Sequence, residues 1–135
     1  DSNFGMLPNG IFCFGPGRAA VIETRAYAAN PPECRYATQS GPMLISNGII
    51  NKNFTSNSVN RKVRSGVGLL PDGTMLFLCT EGDETFYNFS VVFRDYFGCK
   101  NALFLDGYVS KAYIPKLGLE QLDGELGVII GIMEK

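Results

Sequence analysis

The stretch TFYNFSVVFRDYFGCKNALFLDG, residues 85–107, decides the architecture. Within it Phe86, Phe89, Val92, Phe93, Tyr96 and Phe97 recur at the three-and-four spacing that lines one face of a helix. Thr85 offers a side-chain oxygen to cap the first turn, and Gly98 suits the left-handed residue that ends a helix. The spacing predicts one amphipathic helix over about 85–97, with its aromatics in the core. The chain then passes at once into NALFLDG, where Ala102–Leu105 form a short apolar run ending on Asp106-Gly107. Such a run reads as a buried strand.

Working outward, the turn signals are regular. Gly15-Pro16-Gly17 joins two short runs, Ile11–Phe14 and Ala19–Glu23. Asn47-Gly48 between apolar runs is a strong hairpin signal, because a type I′ turn needs positive φ at both central positions. Asp72-Gly73 marks a third hairpin, whose second arm, Met75–Cys79, is apolar on both faces and is expected at the centre of a sheet. Residues 28–34 and the Asn/Ser-rich residues 51–63 read as loops. A helical turn is expected near Leu117–Leu122, and GVIIGIM, residues 127–133, as a last buried strand. The expected fold class is α+β: a strand-rich mixed sheet built from hairpins, with the 85–97 helix packed on it.

Composition bounds the function. The chain has 135 residues, enough for a single core, and its net charge of −1 gives no electrostatic case for nucleic acid or an anionic membrane. Arg61, Lys62 and Arg64 form the one dense positive spot, enough to hold one phosphate. No run reaches membrane-spanning length. The first residues, DSNFGMLPNG, carry no basic-plus-apolar leader, which leaves a secreted or periplasmic location open; the missing initiating Met is consistent with processing or trimming. Cys13, Cys34, Cys79 and Cys99 contain no CxxC pair, so a zinc knuckle is not expected; buried free thiols are the plainer reading, with a disulfide left open. There is no histidine, which removes Ser-His-Asp, Cys-His and zincin chemistry. No metal ligand set and no cofactor is named by the sequence.

Three places could carry chemistry. Asp106 closes a buried run, where desolvation prepares a carboxylate as acid, base or nucleophile; an Asx-type turn is the equal alternative. Arg64 precedes the strand 66–70 and offers a fork suited to phosphate or carboxylate; a surface arginine or an ion pair is the plainer reading. Thr38-Gln39-Ser40-Gly41-Pro42 places polar groups before the strand Met43–Ser46, as an ordinary turn also would. Ser110 and Lys111 follow Asp106-Gly107 and could add a hydroxyl and a cation. Glu81 and Asp83 resemble charges at a helix N-terminus. Asn53-Phe54-Thr55 and Asn88-Phe89-Ser90 match a glycosylation sequon, a common triplet that decides nothing here.

The blocks ATQSGPMLISNGIIN, RSGVGLLPDGTMLFLCTEG and KNALFLDGYVSKAYIP, with the Phe-rich helix between the last two, resemble the phosphodiester glycosidase domain family. Its best-known member is the uncovering enzyme, N-acetylglucosamine-1-phosphodiester alpha-N-acetylglucosaminidase; the likeness is nearer to the family's uncharacterised bacterial branch. It covers residues 5–133, so 1–135 reads as a single domain of this type. The resemblance implies hydrolysis of a sugar-1-phosphodiester. It gives Arg64 the phosphodiester, Asp106 the acid/base or sugar-orienting role, and Gln39, Gly41, Gly107 and Ser110 the substrate. The chain departs from the pattern twice. It has no upstream Asn-Gly-Gly block, so the family's N-terminal part is expected to be missing, and Tyr108-Val109 replaces a glycine-rich run.

Two further readings stand beside the hydrolase. The same groove could bind a phosphorylated or anionic glycan without cleaving it. A structural role would show as an oligomer formed through an exposed sheet edge. For cleavage, Asp106 needs a second carboxyl group, for which Glu81, Asp83 and Asp95 are the candidates.

Overall fold

The computed structural model describes residues 5–106, 110–125, 127 and 129–133, with Asp106 described by its main chain alone. The hairpins close where their turn residues dictate. β1 (Gly10–Gly15) returns as β2 (Arg18–Glu23) around Gly17 at φ 74°. β4 (Met43–Ser46) returns as β5 (Ile49–Ile50) through Asn47 at φ 51° and Gly48 at φ 81°, the doubly positive turn that Asn-Gly encodes. β6 (Ser65–Leu69) returns as β7 (Met75–Cys79) around Gly73, where the Asp72 carboxylate accepts from the Thr74 amide at 2.9 Å.

Two sheets result. β2-β1-β3 form a small sheet, β3 being Tyr36–Ser40, and β5-β4-β8-β6-β7 form a larger one around β8 (Ala102–Asp106). Every pairing among the described strands is antiparallel. The strand-rich α+β reading therefore holds. Phe12 and Val21 of the small sheet pack on Met43, Val67 and Leu103 of the larger one. Its other face carries α2 (Phe86–Val91), which runs on as a π-helical turn over Val92–Tyr96 and seats Phe86, Phe89 and Phe93 on Leu44, Ile45, Ala102 and Phe104. Burying each such ring contributes about 1.5–3 kcal/mol. Close approach is possible because β6 carries Gly66 and Gly68 beneath the rings: a Cβ at Gly68 would stand 2.9 Å from Phe93 and 3.0 Å from the Cys99 sulfur. Thr85 caps α2 by accepting from the Asn88 amide at 3.0 Å, and Gly98 ends the helical run at φ 71°. Beyond β8, β9 (Tyr113–Ile114) and β10 (Leu119–Glu120) form a small hairpin around a 3₁₀ turn at Pro115–Leu117.

Four expectations need correction. β7 is terminal in its sheet. Leu76 and Leu78 face the helix cluster while Phe77 faces the small sheet, so a strand covered on both faces reads as central even at an edge. Thr24–Ala29 is a helix, α1, capped by the Glu23 carboxylate, which accepts from the Arg25 and Ala26 amides. The described residues of the 127–133 run are not in a strand, and Ile129, Ile132 and Met133 are exposed. Val128 lies outside the described residues. Finally, Cys13 and Cys34 are joined by a disulfide with Cα atoms 5.7 Å apart, while Cys79 and Cys99 are free. Spacing could not reveal the pair, because the β1-β3 register is what brings Ala37 opposite Cys13 and the chain before it alongside.

Candidate functional site at the C-terminal end of β8

The antiparallel order brings five strand ends to one rim. β8 finishes there at Asp106, β6 starts there at Ser65, β7 finishes at Cys79, and β3 finishes and β4 begins across Gly41-Pro42. Ser65 is the ladder partner of both Asp106 and Cys79. The Pro42 carbonyl accepts from the Phe104 amide at 3.1 Å, and the Ser40 hydroxyl donates to the Leu105 carbonyl at 3.0 Å. Ser110, 8% exposed, donates its hydroxyl to that of Ser65 at 2.9 Å. Ser40, Gly41 and Ser110 therefore converge on the end of β8. Gly107 lies outside the described residues, as do Tyr108 and Val109.

Gly41 has a packing reason. A side chain there would run into the Asn9 amide, so the β3–β4 link stays glycine to pass close to residue 9. Gln39 goes elsewhere. Alternation along β3 sends it to the face opposite Ser40, where its amide donates to the Thr24 hydroxyl at 3.3 Å, at the start of α1.

Arg64 is neither a surface arginine nor an open fork. It is 2% exposed, with its guanidinium carbon 3.6 Å from the centre of the Phe86 ring. Its Nε donates to the Glu84 carbonyl at 2.8 Å and one Nη to the Asn60 carbonyl at 3.1 Å. Its own amide donates to the Thr80 hydroxyl at 2.9 Å, and its carbonyl accepts from Thr80. Desolvation pulls the guanidinium down to about 10, against the opposing pull of Glu84 and Asp83, so it stays cationic at neutral pH. Two of its five N–H groups are thus committed to main chain. The expected fork offered to a phosphodiester is not what this geometry presents. Arg64 instead ties the 60–64 loop to the turn before α2.

Among the carboxylates, Glu81 and Asp83 follow β7 at the rim. Asp95 sits in the last helical turn, toward the far end of the sheet, paired with Arg94 at 2.6 Å. Glu84, which the sequence did not single out, bonds the Thr85 amide at 2.7 Å and the Asn88 side chain at 2.9 Å. Those two donors and Arg61 hold its carboxyl below the usual range, the Thr85 amide most, against partial burial. Lys111 reaches Asp123 at 3.0 Å beside the rim, a carboxylate that no motif flagged. A concavity of about 270 Å³ lies at the opposite end of the sheet, lined by Leu69, Leu70, Pro71, Gly98, Lys100 and Asn101. Among the described residues no group of three metal-binding side chains converges, and no helix is long and apolar enough to cross a membrane.

Comparison with known proteins matches the chain to a family. The chain is 32% identical over 114 residues to the Escherichia coli (strain K12) "Uncharacterized protein YigE", covering 84% of this chain and 44% of that relative. It therefore spans less than half the length of the curated relative it matches. The family profile described as phosphodiester glycosidase matches residues 7–126, most of the sequence and the whole rim. The chain belongs to the phosphodiester glycosidase family.

Proposed function

We propose that this chain forms part of a hydrolase that cleaves a sugar from a sugar-1-phosphodiester, with the rim around Asp106 as its site. The observation that supports this most is the convergence of β3, β4, β6, β7 and β8 on Asp106 within a family named for that chemistry. Glycosidic cleavage can run on carboxylates alone, which suits a chain with no histidine. In this reading Asp106 is the acid/base or sugar-orienting carboxylate, and Glu81 and Asp83, which follow β7, are the candidates for a second carboxyl group. Arg64 is a positioning residue: it fixes the loop and strand start that carry Ser65. Gly41 and Gly107 shape the approach to the sugar, and Gln39 stabilises the outer face of β3.

The test is release of free sugar from N-acetylglucosamine 1-(methyl phosphate) by the full-length protein. Asp106→Asn should lower the rate by about a thousandfold, within the range for loss of a general acid or base. Undiminished turnover by that variant would overturn the role given to Asp106. Binding of the diester without any product over long incubation would favour a non-catalytic glycan-binding module, the reading that the buried Arg64 makes worth testing.

A further inference from the structure

The ladder between β6 and β8 slips at its last step. Gly66 lies opposite Phe104, yet the next residue of β6, Ser65, lies opposite Asp106, so Leu105 is the extra residue of a β-bulge. Had the ladder kept phase, Leu105 would stand where Asp106 does. A bulged residue drops out of the ladder, and its carbonyl then needs another donor. Ser40 supplies that donor from 65 positions away, in the other sheet. On the opposite flank, Ser110 grips Ser65, which anchors the chain beyond Asp106 to the start of β6. Ser40 and Ser110 are both buried, where an idle hydroxyl would cost about 1–3 kcal/mol.

We infer that Ser40 and the Ser65–Ser110 pair are positioning residues that hold the Leu105 bulge and so fix where Asp106 stands. Ser110 is then a prop for β8, a different task from contacting substrate, and Ser65 joins the site although no motif marked it. This rests on the role of Asp106 proposed above. The three hydroxyls come from separate places, Ser40 from the small sheet, Ser65 from β6 and Ser110 from the chain after β8, so they meet only once both sheets have assembled.

Cys79 provides a readout that does not depend on activity. It is an exposed free thiol directly across the ladder from Ser65, while Cys99 is buried and Cys13 and Cys34 are bonded to each other. Packing around Cys79 raises its thiol pKa more than Lys111, next to Ser110, lowers it, so loosening that segment favours the reactive thiolate. In the full-length protein, Ser65→Ala and Ser110→Ala should quicken alkylation of Cys79 by iodoacetamide at least threefold as the 110–111 segment loosens. Ser65→Thr, which keeps the hydroxyl, should not. On N-acetylglucosamine 1-(methyl phosphate), Ser40→Ala and Ser65→Ala should lower kcat about 10- to 100-fold with KM within twofold, the pattern of a displaced group. Ser65→Thr should restore most of it. Unchanged alkylation, or unchanged kcat in an active protein, would overturn the inference. If the wild type releases no sugar, the functional reading falls, and alkylation alone decides whether the serines hold the bulge.

Discussion

The two ends of the five-stranded sheet are built on different principles. At one end, Asn47-Gly48, Asp72-Gly73 and Gly98 turn the chain within a few residues, using positive φ and bonds such as Asp72 to the Thr74 amide. At the other, Ser40 reaches Leu105, Ser110 reaches Ser65, and Arg64 reaches Glu84, across 65, 45 and 20 positions. The first end is determined locally and, among the described residues, carries a concavity whose lining includes Lys100. The second end exists only once both sheets and the helix have assembled, and it carries Asp106. Local turns close a sheet cheaply; a rim made of strand ends must be held by distant partners, and those partners can place a side chain at will.

Breaking Arg64 should have the largest effect on this contrast. Arg64→Ala strands the Glu84 and Asn60 carbonyls and empties the space over Phe86, at a cost of about 3–4 kcal/mol. The urea midpoint should fall accordingly. Amide exchange should quicken at Ser65 and Thr80 well before it does at Gly48; equal acceleration at both ends would contradict the division. Reducing the Cys13–Cys34 disulfide comes next, because it releases a 21-residue separation in the unfolded chain, worth about 3 kcal/mol. It loosens β1 and β3, and so should weaken the Ser40 contact while leaving the β6–β7 turn intact.

At the opposite end, Gly48→Ala should cost about 1 kcal/mol, since φ is 81° there although nothing crowds a new Cβ. Its thermal shift should leave any sugar release by the rim unaltered. The smallest effect belongs to Glu84. Its carboxyl is held below the ordinary 4.5, so the stabilisation it gives is complete above that value and is lost as pH falls through the lowered one. Acid titration of unfolding should show a shallow loss below about pH 4.5 that Glu84→Gln removes. A loss in the neutral range would assign it to another group.

Much of the fold was legible because its signals are short-range. The aromatic spacing from Phe86 to Phe97, the Thr85 cap and the Asn-Gly and Asp-Gly turns each act within one or two turns of chain. α1 escaped because Glu23 is an uncommon cap, and β7 was misplaced because two covered faces look alike at the edge and the centre. Of the rim, residue types drew attention to Asp106, Ser110 and Gly41, whose roles are the proposals made above. They could not say that Arg64 would be buried on Phe86, that Gln39 would face α1, or that Ser65 and Asp123 would lie at the rim.

The sequence by itself determined the three tight hairpins, β8, the helix from Phe86 and the absence of histidine chemistry, since these depend on periodicity, turn stereochemistry and composition. Tertiary structure alone decided the one-residue slip at Leu105, the Cys13–Cys34 pairing and the fate of Arg64. Each joins residues 20 or more positions apart, and only the register between strands, which no local pattern encodes, says which of them meet.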